Sequence, residues 1–136
     1  MNFKNIQIGK MIEIKVKERE IEISRISNFL HCKEEAISKM YKAKSLDTEL
    51  LLKWSKLLEY DFFRIYCQHL ILYAPPSSEV KNIKTKLPRF RKNIYTREII
   101  NYIIEQINSG AMSKTDVIEL YRIPKTTLYK WLDKYK

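Results

Sequence analysis

Only two glycines occur in the 136 residues, Gly9 and Gly110. A phosphate-cradling loop of the G-x-x-x-x-G-K-S or G-x-G-x-x-G kind is therefore excluded, because its backbone turns need closely spaced glycines. Two glycines and four prolines also leave too few turn residues for an all-β chain. Cysteine is equally scarce. Cys32 and Cys67 do not make a disulfide framework, so a cytoplasmic protein with reduced thiols is expected, nucleoid-associated if bacterial. No apolar run approaches the roughly 18 residues of a membrane span, and the start of the chain shows no signal-peptide core. A length of 136 residues fits one domain or two very small ones, too short for most folds built on a large parallel sheet or barrel.

What the chain has in excess is positive charge. Its 26 Lys and Arg against 16 Asp and Glu give a formal net charge of +10, and 45% of residues are hydrophobic. That apolar content supports a packed core, and the charge points to a polyanion, most often nucleic acid. A solvated surface that happens to be basic is the plain alternative. The charge is unevenly divided. Residues 1–78 hold 13 basic and 10 acidic groups, net +3, whereas residues 79–136 hold 13 and 6, net +7. Between Glu79 and Lys92 the basic residues are Lys81, Lys84, Lys86, Arg89, Arg91 and Lys92, against Glu79 alone.

Apolar periodicity predicts an all-α chain. Ala74-Pro75-Pro76-Ser77-Ser78 marks the clearest boundary, since prolines stop a helix. Residues 1–74 read as one bundle of five helices and residues 95–136 as a bundle of three. Residues 75–94 form the linker, Pro/Ser-rich and then basic. In the first half Ile8, Ile12 and Val16 make one stripe. Helices follow over 23–30, 34–41, 47–58 and 61–73, with Asp47 a good N-cap. In the second half Thr96 caps a helix carrying Ile99, Ile100, Ile103, Ile104 and Ile107, which stops at Gly110. Ser113 and Asp116 form a capping-box-like start for a helix carrying Val117, Leu120 and Tyr121. The last helix spans 125–135, with Leu128, Trp131 and Leu132 inward.

From Ile21 to Tyr41 the pattern Ile-x-Ile-Ser-x-Ile-Ser-x-x-Leu-x-Cys-x-x-x-x-Ile-x-Lys-Met-Tyr resembles the phage-repressor (Cro-like) helix-turn-helix family. The resemblance covers about residues 8–74. It implies that the helix from Glu34 lies in the major groove, with Glu34, Glu35, Ala36, Ser38 and Lys39 toward DNA. The chain departs from that pattern at Glu20, where a turn glycine is usual. It departs again at Glu22 and Lys33, where Ser or Thr usually caps a helix. Glu34 and Glu35 would repel phosphates, although Glu can accept from cytosine N4.

The segment Tyr121-Arg122-Ile123-Pro124-Lys125-Thr126-Thr127-Leu128-Tyr129-Lys130-Trp131-Leu132 resembles the helix-turn-helix modules of insertion-sequence transposases and Pipsqueak-type homeodomain-like proteins. That resemblance covers about residues 95–136 and implies that Lys125, Thr126, Thr127, Tyr129 and Lys130 face the groove. The alternative is an ordinary amphipathic helix with a lysine-rich outer face.

His31-Cys32 and Cys67-Gln68-His69 hold all the cysteines and histidines, but their spacing is poor for zinc. No metal site and no cofactor are expected, and no Ser-His-Asp arrangement is suggested. Transposases of the three-carboxylate type need a separate sheet domain, for which this chain has no room, so an enzyme is not expected. The leading expectation is a sequence-specific double-stranded DNA-binding protein, either a transcriptional regulator or transposase-related. Expected DNA contacts are Lys125, Thr126, Thr127, Tyr129, Lys130, Arg89, Arg91, Lys92, Ser38 and Lys39. A homodimer is expected through Phe62, Phe63, Tyr66, Leu70 and Tyr73, because the helix at 61–73 is apolar on more than one face. No small-molecule ligand is expected. The rival expectation is a protein-interaction module that uses the acidic helix at 34–35 and the apolar helix at 61–73.

Overall fold

A computed structural model describes residues 2–75, 84–88 and 95–135. Among the described residues there are eight α-helices and no strand: α1 (Ile8–Arg19), α2 (Ile23–Leu30), α3 (Glu34–Lys42), α4 (Thr48–Leu58), α5 (Phe63–Tyr73), α6 (Arg97–Asn108), α7 (Lys114–Tyr121) and α8 (Lys125–Lys134). No helix among them is long and apolar enough to cross a membrane. The chain divides into two compact units, Asn2–Tyr66 and a unit containing Cys67–Lys136. The division falls within α5, whereas the prolines place the sequence boundary after Ala74.

In the first unit the apolar stripe of α1 buries Ile8, Ile12 and Val16, and α1 packs on α3 and α4. These residues share a core with Ile26 and Leu30 of α2, Ile37 of α3, Leu51, Trp54, Leu57 and Leu58 of α4, and Phe62 and Ile65. Fully burying one such side chain contributes about 1.5–3 kcal/mol, so this core carries the unit. Trp54 is fully buried, and its indole N–H donates to Met40 Sδ at 3.4 Å. The segment before α1 adds Phe3 and Ile6 to the buried set. Asn2 fixes the path of that segment by accepting from the backbone N–H groups of Lys4 and Asn5.

Helix ends follow the local sequence. Asp47 Oδ1 accepts from Leu50 N at 2.7 Å and starts α4. Asp61 accepts from Phe63 N at 3.1 Å, which makes it a start signal for α5 and sets the first helical residue at Phe63 rather than at Asp61. With glycine scarce, other residues take the left-handed conformation at helix ends. Glu20, His31, Glu59 and Arg122 all have φ between 50° and 54°.

In the second unit α8 packs against α6 and α7. Its core includes Ile99, Ile103, Val117, Ile123 and Leu128, all at most 1% exposed. Ser113 and Asp116 close a complete capping box at the start of α7, with Ser113 N donating to Asp116 and Asp116 N donating to Ser113 Oγ. Gly110 takes φ 79° after α6, as its place in the sequence suggested. Tyr73 and Tyr121 are both hydrogen-bonded to Tyr102. Burial, and secondarily this bonding, pushes the Tyr73 phenol up to about 12 and raises that of Tyr121 as well.

Candidate nucleic-acid interface

Two helix pairs have the same local plan. The helices α2 and α3 are separated by His31, Cys32 and Lys33, and α7 and α8 by Arg122, Ile123 and Pro124. In each, the residue ending the first helix is left-handed, His31 in one and Arg122 in the other. That conformation turns the chain sharply enough for the second helix to begin within three residues. One turn residue then points inward: Cys32 packs against the first core, and Ile123 is 1% exposed.

The second helices of the two pairs carry opposite charge at their starts. The first turn of α3 holds Glu34 and Glu35, both exposed. These carboxylates complement the positive end of their own helix. Ser38 and Lys39 are exposed farther along the same helix, Ala36 is half-buried, and Ile37 is fully buried beneath them.

The first turn of α8 contains no acidic residue, and Pro124 supplies no side-chain cap. Backbone N–H groups at such a start lack intrahelical partners and favour an anion. Lys125, Thr126, Tyr129 and Lys130 are exposed around it and Thr127 is half-buried. Leu128 and Trp131 hold the opposite face in the core. Among the described residues, neither Lys125 nor Lys130 is paired with a carboxylate; the ion pairs there join residues of the first unit.

One residue of this surface was not anticipated. Lys114, the first residue of α7, places its ammonium 5.2 Å from the centre of the Tyr129 ring, and Lys125 places its own 5.6 Å away. Both lie within the reach of cation–π attraction. The sequence signal was the position of Lys114 just after the Ser113 cap, but no spacing rule connects it to Tyr129.

The expected linker contacts Arg89, Arg91 and Lys92 lie outside the described residues; of the other basic residues of that segment, Lys84 and Lys86 are exposed. The expected dimer residues are not one surface. Phe62 is 1% exposed and belongs to the first core, so it has no area to offer a partner. Phe63 and Tyr66 are half-buried against that same core, and only Leu70 and Tyr73 of the set are exposed. Cys32 is half-buried and Cys67 exposed, and among the described residues no group of three or more His, Cys, Asp or Glu could hold a metal ion. No family model, curated protein or solved structure matches the chain.

Proposed function

We propose that this chain is a sequence-specific double-stranded DNA-binding protein, a transcriptional regulator or a transposase-related DNA-binding protein without a catalytic domain. In this reading it consists of two helix-turn-helix bundles, residues 1–74 and 95–136, joined by the basic linker 75–94. The observation that carries the reading is the start of α8. It combines an uncapped, positive helix end with exposed Lys125, Thr126, Tyr129 and Lys130 and no acidic residue in its first turn. The Lys125, Thr126 and Lys130 side chains can each donate to a phosphate or a base edge, and the Tyr129 ring lies between them on the same surface. Affinity comes from phosphate contacts of the linker and α8, and specificity from α8. Leu70 and Tyr73, the exposed apolar residues of α5, supply the homodimer contact.

The test is equilibrium binding of the whole chain to duplex DNA across a range of salt. About five phosphate contacts give a log–log slope of roughly −4.5. A flat salt response, or no binding at low salt, rejects the reading. It would favour the rival in which exposed Glu34 and Glu35 meet a protein partner.

A further inference from the structure

Three features outside the cores invite a role: the shallow acidic and apolar surface of α7, the linked tyrosines 73, 102 and 121, and the ring of Tyr129 with its two lysines. The α7 surface, lined by Met112, Asp116, Glu119 and Leu120, is open, and no feature of it points to one occupant. The linked tyrosines are accounted for by packing. The Tyr129 group is different, because its charges come from two helices and meet on an exposed ring.

Lys114 starts α7 and Lys125 starts α8. Long lysine side chains at exposed helix starts sample many rotamers, and fixing each on a ligand costs entropy. Here both ammoniums lie within 5.6 Å of one ring centre. A ring that attracts both restricts them before any ligand arrives. A polyanion such as a DNA strand offers a series of phosphates to such a pair, one for each ammonium. Tyr129 is 43% exposed, too open for it to be explained as a core residue.

We propose that Tyr129 is the positioning residue of a two-helix phosphate clamp, holding Lys114 and Lys125 on its ring so that both grip the DNA backbone. The clamp rests on the duplex-binding reading above and adds to it a residue of α7 and a division of labour. The ring arranges, the ammoniums neutralise, and the Tyr129 hydroxyl is dispensable.

The experiment measures binding of the full chain to a short mixed-sequence duplex at several salt concentrations, for the wild type, Tyr129→Phe, Tyr129→Ala, Lys114→Gln and Lys125→Gln. Each lysine variant flattens the log–log salt slope by about 1. Tyr129→Ala weakens binding several-fold and flattens the slope, while Tyr129→Phe matches the wild type. In the Tyr129→Ala background, Lys114→Gln costs less than it does in the wild type. If the wild type binds but the lysine variants keep its slope, or if Phe is no better than Ala, the clamp is overturned and the duplex reading stands. If the wild type itself fails to bind at low salt, both fall. Should Tyr129→Ala not fold, the exposed lysine variants and Tyr129→Phe still decide: unchanged lysine slopes, or loss of binding in Tyr129→Phe, overturn the clamp.

Discussion

Gly9 donates its backbone N–H to the carbonyl of Ala43 at 3.0 Å, and this bond joins the start of α1 to the end of α3. Ile8 N donates likewise to Lys44 O at 3.2 Å. Gln7 supplies no side-chain cap for α1, so these carbonyls take its place. The approach is close because position 9 has no Cβ. An added Cβ would lie 2.6 Å from the carbonyl oxygens of both Ala43 and Tyr41, and closer still to that of Met40. All three are backbone atoms, which cannot swing aside. Gly9→Ala is therefore expected to destabilise the first unit by about 3 kcal/mol, as overpacking of a core contact does. Urea unfolding monitored by circular dichroism measures it. Gly110→Ala provides the contrast: its Cβ would meet open space, and only the φ of 79° is strained. There the expected cost is about 1 kcal/mol.

The four left-handed helix ends make the opposite prediction. Glu20, His31, Glu59 and Arg122 carry a Cβ in a conformation that glycine adopts more cheaply. Replacing each with Gly should raise stability by about 0.5–1 kcal/mol, after the added freedom of the unfolded chain is subtracted. Glu59→Gly should give the least. It removes the 3.2 Å ion pair with Arg19, although the Arg19 bond to Leu58 O at 2.9 Å survives. Denaturation midpoints of the four variants check the order.

Ser27 carries a hydroxyl that is buried with no hydrogen-bond partner among the described residues. Its small size suits the close packing of α2, but its oxygen contributes only a desolvation cost. Ser27→Ala is expected to stabilise the first unit by about 1 kcal/mol. A loss of stability in that variant would show that the hydroxyl has a partner.

Much of this architecture was legible because helix periodicity is local. The stripe at Ile8, Ile12 and Val16 predicts the buried residues of α1, and Asp47, Thr96 and Ser113 cap as their sequence positions imply. Relationships between elements were not legible. Nothing in the spacing of Gly9 shows that it faces the end of α3, and nothing about Lys114 shows that it reaches Tyr129. Phe3 and Ile6 were passed over because a few residues before a helix display no period. The apolar excess of α5 reads alike whether it is covered from within or by a second copy. Phe62, Ile65, Ile71 and Leu72 turn out to be buried within the chain, leaving Leu70 and Tyr73. Of the three residues named for α7, Val117 and Tyr121 are buried while Leu120 is 56% exposed.

Alkaline pH should destabilise the second unit, and the half-buried Tyr41 and Tyr66 phenols of the first unit, also raised by burial, should make that unit sensitive in the same direction. The Tyr73 phenol is raised from 10.0 to about 12 and that of Tyr121 is raised too, first by burial and then by the influence of Tyr102. A neutral form favoured by folding contributes fully below the unfolded pKa of 10.0 and is lost as pH rises through the folded one. Thermal stability is therefore expected to be level up to about pH 10, the ordinary tyrosine value, and to decline above it. Tyr102→Phe should weaken that dependence. Ultraviolet absorbance of tyrosinate, followed alongside helicity, checks whether ionisation and unfolding coincide.

On the proposed duplex-binding reading, paired substitutions decide between α3 and α8 as the helix that reads DNA. Lys125→Ala with Lys130→Ala removes two exposed cations that no carboxylate neutralises among the described residues. Binding should weaken by about 1–3 kcal/mol if either lysine contacts a base, and by less if both contact phosphate. Glu34→Ala with Glu35→Ala removes two exposed carboxylates from the first turn of α3. If α3 lies against phosphates without reading bases, their loss relieves repulsion and binding tightens. If α3 lies off the DNA, binding does not change. Only a glutamate that accepts from cytosine N4 would make its removal relax the preference at one base pair. Stability is a separate matter, since the carboxylates complement the positive end of α3, and the double alanine should cost about 0.3–1 kcal/mol per residue lost. Binding of both double variants to a site selected from a random pool, and to a scrambled copy of it, separates these outcomes once folding is verified by circular dichroism. A tenfold or greater loss of site preference in the folded glutamate variant, with the lysine variant unaffected, would make α3 the reader and remove α8 from that role.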